Sequence, residues 1–331
     1  MSGRVPTSAP PTLLSSSLHD RRALVVDPNR KQLRAIERVL KSVIATVEAR
    51  ETLEAPPDDG DFDLIALTCD PLSPEIRAQW TARFGGASRT RLMLLSSGKW
   101  DTTHRTLLDQ ARLTHLLATN GDEFDGDQLL VTTTKIVARD IFGLEKYFSW
   151  GSGLVRGSVA RSDDSSRLID HARDFARKLG VNDRLATAFA SVTDEFLSNA
   201  LYNAPVDATG QRLYAHLDRT VPVRLEPGQA IDVAFCSDGR KIGVSVTDPF
   251  GSLAADTVMT YLAKCLRREG DQIDTKAGGA GLGLYQAFGS VSHLVLNLSP
   301  GRRCEFIGLI DVRGTFKDFV AQAKSFNIFV E

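Results

Sequence analysis

Glu195, Asn199 and Asn203 recur at steps of four residues. A step of four drifts only about 40° around an α-helix, so a helix here puts all three side chains on one face. An Asn carbonyl oxygen is a hard ligand of the kind Mg²⁺ prefers, with water and phosphate completing the shell. A carboxylate one turn away can orient or deprotonate a nucleophile. Asp248 stands at the end of an apolar–polar alternation, within Val246-Thr-Asp-Pro-Phe-Gly251. A carboxylate there can accept a hydrogen bond from an exocyclic amine, and Gly251 permits close backbone approach. Further on, Lys276-Ala-Gly-Gly-Ala-Gly-Leu-Gly-Leu284 places Gly278, Gly279, Gly281, Leu282 and Gly283 at the start of an expected helix. Exposed N–H groups and the helix dipole favour phosphate at such a place. Taken singly, each piece also reads as a solvated helix face, an ordinary turn or a loop.

Two rival phosphate motifs fail on residue type. No GKS or GKT ending follows the glycines, and a GxGxxG begun at Gly279 or Gly281 finds no glycine at its sixth position.

The elements that must position these residues follow from periodicity. Ser165 to Leu179 reads as a helix ended by Gly180, and Arg184 to Asn203 as a longer one. Ile231–Phe235 and Ile242–Val246 alternate and form a hairpin through Ser237-Asp-Gly-Arg240. Ala254 to Arg268 is a helix, the glycine turn leads into another through Phe288, and Val291–Leu298 with Glu305–Val312 make a second hairpin around Pro300-Gly301. Ser252 to Ala277 carries the cations Lys264, Arg267, Arg268 and Lys276, for each of which a solvated helix face is the ordinary role. Helices on one face of a largely antiparallel, mixed sheet describe an α/β sandwich over residues 154–331.

Upstream, Ala23–Val26, Ile44–Val47, Asp63–Leu67, Arg91–Leu95 and His115–Ala118 read as strands separated by helical or irregular segments, the pattern of a doubly wound, flavodoxin-like domain over residues 20–148. Asn29 caps a helix carrying Leu33, Ile36, Leu40 and Val43. Asp127 to Ile141 is a further helix with Leu130, Ile136, Val137 and Ile141 as its apolar positions. Residues 149–153 form a hinge, with Tyr147, Phe148 and Trp150 expected to pack across it. Residues 1–19, rich in Ser, Pro and Thr, read as a disordered tail.

Composition bounds the partners. Forty basic against 41 acidic residues leave a net charge of −1, so nothing calls for nucleic acid. No apolar run is long enough for a membrane span. Cys69, Cys236, Cys265 and Cys304 are scattered without a CxxC pair, which disfavours a metal site or disulfide framework and suits a reducing cytoplasm.

The order Glu/Asn helix, strand-end Asp, glycine turn into a helix resembles the pocket of the GHKL superfamily, which includes histidine kinases, anti-sigma serine kinases, type II topoisomerases and a heat-shock chaperone. The resemblance implies ATP and Mg²⁺ as cofactors. It puts the metal on Asn199, the general base at Glu195, adenine recognition at Asp248 and Gly251, and the phosphates on Gly278, Gly279, Gly281, Leu282 and Gly283, with Asn203 beside them. Departures are visible: many relatives carry a basic residue at the position of Asn203, only Gly251 is clear after Asp248, and Cys304 stands where some histidine kinases have Thr. His171 lies inside the expected ATP domain and lacks the neighbours of a phospho-accepting histidine, so the chain resembles the anti-sigma serine-kinase branch. The first half resembles a response-regulator receiver lacking its chemistry. Thr68 stands where the phospho-accepting Asp is expected, Asp70 lies two residues beyond, Ser96 fits the hydroxyl position, and no Lys follows the fifth strand. A plain flavodoxin-like domain is the alternative there. Two functions are implied: an ATP-dependent kinase acting in trans on Ser or Thr of a regulatory protein partner, or a nucleotide-gated interaction module without turnover, with a homodimer left open.

Overall fold

The protein is described from a computed structural model covering residues 20–52, 55–69, 73–84, 91–98, 113–120, 123–266 and 280–331. β1 (Arg22–Val26) is aliphatic after its first residue, and those side chains are all buried. Burial on both faces is what a parallel strand between helical layers requires. β2 (Thr46–Arg50) and β3 (Leu64–Thr68) flank β1 in parallel, and β4 (Arg91–Ser96) and β5 (His115–Asn120) continue in parallel beyond β3. A short β6 (Glu123–Phe124) pairs with β5 alone.

Helices cover both faces of these strands. α1 (Arg30–Lys41) starts at Asn29, whose side chain accepts the Lys31 and Gln32 N–H groups, and it lays Leu33, Ile36 and Leu40 on Ala23, Val25, Leu64 and Ala66. α2 (Pro74–Phe84) brings Trp80 and Phe84 to the opposite face, against Leu24, Val26, Ile65 and Leu67. α3 (Gly126–Ala138) joins the α1 side through Leu129 and Val137. Leu130, expected to face inward, is exposed, because the neighbouring Leu129 takes the inward position.

The second half opens with β7 (Leu154–Val159), followed by α4 (Ser165–Lys178) and α5 (Asp183–Ser198). The two expected hairpins are present: β8 (Ile231–Ser237) with β9 (Lys241–Asp248), and β10 (His293–Ser299) with β11 (Arg303–Asp311), both antiparallel. Between them lie α6 (Ala255–Leu266) and α7 (Ala280–Gly289). After a short α8 (Phe316–Ala321) the chain ends in β12 (Ser325–Val330).

β7 and β12 are absent from the sequence expectations, and β12 changes the architecture. It runs parallel to β10 and antiparallel to β5, with Phe326 opposite Leu116. The result is one 12-stranded mixed sheet in the order β2-β1-β3-β4-β5-β12-β10-β11-β9-β8-β7, with β6 off that path. The β5 edge, which would otherwise present open N–H and C=O groups, is closed by the chain's own end.

On the face away from α4 and α5, residues 139–150 cover the second half of the sheet. Ile141, Leu144 and Tyr147 pack on Ala234, Cys236, Val295, Ile307, Leu309 and Phe329. Phe148 is half-buried, but Trp150 does not pack as expected and is fully exposed.

Beneath this cover lies a buried polar cluster. Lys135 is 1% exposed, and its Nζ donates to the Tyr147 hydroxyl at 2.7 Å and to Asn297 Oδ1 at 2.9 Å, with the Phe329 ring 4.1 Å below it. Asn297 donates to Glu305 Oε2, which also accepts the Gly143 N–H, while Ser245 donates to Glu305 Oε1. Burial holds the Lys135 ammonium well below its ordinary pKa. Alongside it, Asn327 bridges His115 Nδ1 at 2.9 Å and His293 Nε2 at 2.6 Å. Among the described residues, no helix is long and apolar enough to cross a membrane.

Candidate functional site

α5 is set by Asn182, whose side chain accepts the Arg184 N–H, and by an inward face of Leu185, Phe189, Val192, Phe196 and Leu197. That packing turns Glu195 to the opposite, half-buried side. The expected helix through Asn203 does not stay α-helical. Asn199–Asn203 is a π-turn, closed by the Ala204 N–H on the Asn199 carbonyl at 2.9 Å. In an α-helix a step of four overshoots a full circle, whereas the wider π-turn takes it slightly short. The two drifts oppose one another, so Asn203 stays in line with Asn199 and Glu195.

The row is hydrogen-bonded along its length. Asn199 Nδ2 donates to Glu195 Oε1 at 2.5 Å and to the Glu195 carbonyl at 2.9 Å, and Asn203 Nδ2 donates to Asn199 Oδ1 at 2.7 Å. Desolvation raises the Glu195 carboxyl above its ordinary pKa, opposed by the Asn199 bond and by the charge of Arg219. Asp194 is raised by desolvation as well. A carboxylate with a raised pKa and an open side is suited to taking a proton.

Gly283 meets this row from α7. A Cβ built on it would overlap the Glu195 carboxyl group, so the absence of a side chain lets the acid lie against the helix. Glu195, Asn199, Asn203 and Gly283 line a single cavity of about 1130 Å³, together with Leu284 and Tyr261. Gly281 and Leu282 fall in the first turn of α7, while Gly278, Gly279 and Lys276 lie outside the described residues, as do Arg267 and Arg268.

Asp248 ends β9 as expected but is 2% exposed and does not line that cavity. Its Oδ1 accepts the Phe250 and Gly251 N–H groups at 2.9 and 3.2 Å, and desolvation lifts its pKa to about 6. Cys304 pairs with it across the β9–β11 ladder and is pushed up to about 12 by burial, then by the Asp248 charge. The close approach at Gly251 is to the protein's own β10–β11 turn. At φ 59°, an added Cβ would stand 2.8 Å from the Arg303 nitrogen and closer still to the Arg302 nitrogen and the Ser299 oxygen. Gly251→Ala is therefore expected to destabilise the protein by about 2–4 kcal/mol, adding backbone strain to a displaced turn. Urea unfolding of the variant checks this, and an unchanged midpoint would contradict it.

The link between the two parts is the loop after Gly251. Ser252 Oγ donates to the Ala204 carbonyl at 2.7 Å, and Leu253 reaches the cavity wall. The remaining walls were not legible as site residues. Residues 204–230 separate the π-turn from β8 and bring Arg212, His216 and Arg219 to the cavity. Their only sequence signal is a pair of Asp-x-Thr turns, at Asp207–Thr209 and Asp218–Thr220.

At the first-half position expected for phosphate acceptance, Thr68 Oγ1 donates to Asp27 Oδ2 at 2.5 Å, and Asp27 Oδ1 accepts the Asn29 N–H. Ser96 is buried at the end of β4, and Asp70 lies outside the described residues. His171, on α4, is exposed with its ring 6.3 Å from that of Phe235. No protein-family model matches this chain, and no curated protein matches it significantly.

Proposed function

We propose that residues 154–331 are a GHKL-type α/β sandwich that binds ATP–Mg²⁺, set behind a flavodoxin-like, receiver-like domain without a phosphoacceptor. In this reading the protein regulates a protein partner by phosphorylating a Ser or Thr in trans. One observation carries it: the Glu195–Asn199–Asn203 row faces Gly283 across the wall of one cavity. A helix bearing an acid and an amide thus meets the glycine-rich helix start, two features with no reason to converge in an ordinary amphipathic pair.

On the cavity wall, the Glu195–Asn199 pair fits the metal and the attacking hydroxyl, whereas Asp248 is buried off that wall. Asn199 Oδ1 takes one hydrogen bond, from Asn203, and a carbonyl oxygen has a second lone pair for a hard cation. Asp248 takes both of its backbone bonds on Oδ1, and a carboxylate accepts on two oxygens. Bound ATP–Mg²⁺ would supply the transferable phosphoryl group. Asn199 would hold the metal, Asp248 would read the base, and Glu195 would take the proton of the attacking hydroxyl.

A nucleotide-gated interaction module without turnover is the second reading. Asn203, standing where many relatives have a base, is used here to bond Asn199, which favours binding over transfer.

Calorimetry on the full chain, which keeps the β5–β12 pairing, tests the pocket. ATP with Mg²⁺ is expected to bind and GTP to bind more weakly. Asn199→Ala and Asp248→Asn should each lower ATP affinity by about ten-fold or more, the range for a lost bond to a charged group. Equal affinity for ATP and GTP, or unchanged binding in both variants, would remove the assignment.

A further inference from the structure

The Glu195–Asn199–Asn203 row carries no cation of its own, and residues 204–230 bring two to the same cavity. This segment is built rather than loose. Val206 and Arg212 form a β-bridge, and Asp207 Oδ1 gathers the Thr209 and Gln211 N–H groups with the Thr209 hydroxyl. Asp218 Oδ1 gathers the Thr220 N–H and hydroxyl in a second turn. Val223 and Leu225 are buried, and the Leu225 N–H bonds the Ala160 carbonyl.

Of the segment's three arginines, Arg212 and Arg219 turn back toward the acid–amide row, while Arg224 bridges Arg161. Arg212 donates to the Asn203 carbonyl. Arg219 stands with its guanidinium carbon 5.2 Å from the centre of the Tyr202 ring, and the Tyr202 hydroxyl lies 2.9 Å from the carbonyls of Arg219 and Val221. Tyr202 belongs to the π-turn, so the turn that aligns Asn203 also fixes the height of Arg219 above the cavity. Both arginines line the cavity with Glu195, Asn199 and Gly283. Among the described residues, Arg219 has no carboxylate at ion-pair distance, although it lies near enough to Asp194 and Glu195 to draw both carboxyls down by its charge. An exposed planar guanidinium that lines the cavity beside an acid–amide row is arranged to take a polyanionic oxygen group.

We propose that Arg219 binds the terminal phosphate of a nucleoside triphosphate in this cavity, supplying from residues 204–230 positive charge that the acid–amide row does not carry. The inference rests on the nucleotide reading above and adds to it a residue that distinguishes triphosphate from diphosphate. Charge on the γ-phosphate is then met by Arg219 while the glycine-bearing start of α7 meets the rest of the chain of phosphates.

The test is the affinity of the full-length protein for the non-hydrolysable β,γ-imido analogue of ATP and for ADP, each with excess Mg²⁺. The parent should prefer the triphosphate. Arg219→Ala should lose about ten- to a hundred-fold in triphosphate affinity, the range for hydrogen bonds to a charged group, and stay within a few-fold for ADP. Arg219→Lys should recover part of the loss, because it restores charge without the planar fork. The Arg219 side chain is exposed and its backbone carbonyl is what holds Tyr202, so the variants should keep the parent's thermal midpoint. A variant that keeps the parent's triphosphate preference, or loses both ligands equally, overturns the role of Arg219 alone. A parent that binds neither ligand overturns the nucleotide reading itself.

Discussion

Lowering the pH from 7 to 5 is expected to remove about 3 kcal/mol of folding stability, with two buried histidines as the cause. His115 and His293 are 3% and 0% exposed, and burial drives both pKa values down to about 3. The charges facing them are unfavourable: Arg91 and Lys135 on His115, Lys135 and Lys241 on His293. Asn327 joins the rings, and His293 Nδ1 is buried with no hydrogen-bond partner among the described residues. The unfolded chain protonates each ring near pH 6.5 while the folded protein does not, so stability falls as pH drops through 6.5 and keeps falling toward 3. At pH 5 each histidine costs about 2 kcal/mol relative to neutrality. Asp248 acts in the other direction, since its folded pKa of about 6 lies above the unfolded 3.8 and protonation favours the folded form as pH falls through 6. It returns about 1 kcal/mol over the same interval, leaving the histidines dominant. Urea unfolding at pH 7 and pH 5 measures the difference. His115→Gln and His293→Gln should each flatten the dependence by about one proton, and a parent equally stable at both pH values would show that the rings are not buried neutral.

These histidines also show where the sequence is readable and where it is not. The β1 run Ala23–Val26, the Asn29 cap and the two hairpins depend on local periodicity and turn chemistry, and they appear close to where those signals put them. The Glu195–Asn199–Asn203 row is local too, since it needs only helical spacing, though the π-turn that keeps it straight left no mark in the residues. What is missed depends on contacts between distant segments. Ser325–Val330 is a short apolar run like many others, and its pairing with both β5 and β10 is decided by the sheet edge it meets. Lys135 sits in a helix where a lysine is ordinarily solvated, and the Tyr147 hydroxyl, the Asn297 carboxamide, the Phe329 ring and the Glu305 charge make its burial tolerable. Arg212 and Arg219 come from a segment without periodicity, so their convergence on the acid–amide row is a property of the folded chain.

The largest kinetic effect is expected at the contact between Glu195 and Gly283. In the proposed kinase, the Glu195 carboxylate serves the attacking hydroxyl and not the nucleotide. Glu195→Ala should therefore keep ATP affinity within a few-fold while transfer to a captured partner falls by about 10²–10⁴-fold, the usual span for a lost general base. Gly283→Ala reaches the same carboxylate from outside. The added methyl would occupy the space that the acid fills, so the side chain must swing away from the Asn199 amide that orients it. The glycine variant should thus lose transfer with the base still in the chain. Adding it to Glu195→Ala should cost little more, because groups acting as one unit are not additive. Phosphosite mapping and single-turnover transfer, run on the parent, both single variants and the double, distinguish the cases. Undiminished transfer in Glu195→Ala would place the base elsewhere. Independent, multiplicative losses would separate Gly283 from Glu195 and assign the glycine to the phosphates. A parent that captures its partner only with ATP bound, yet leaves it unmodified, would favour the nucleotide-gated module, in which the Glu195–Asn199 pair serves to order the cavity wall.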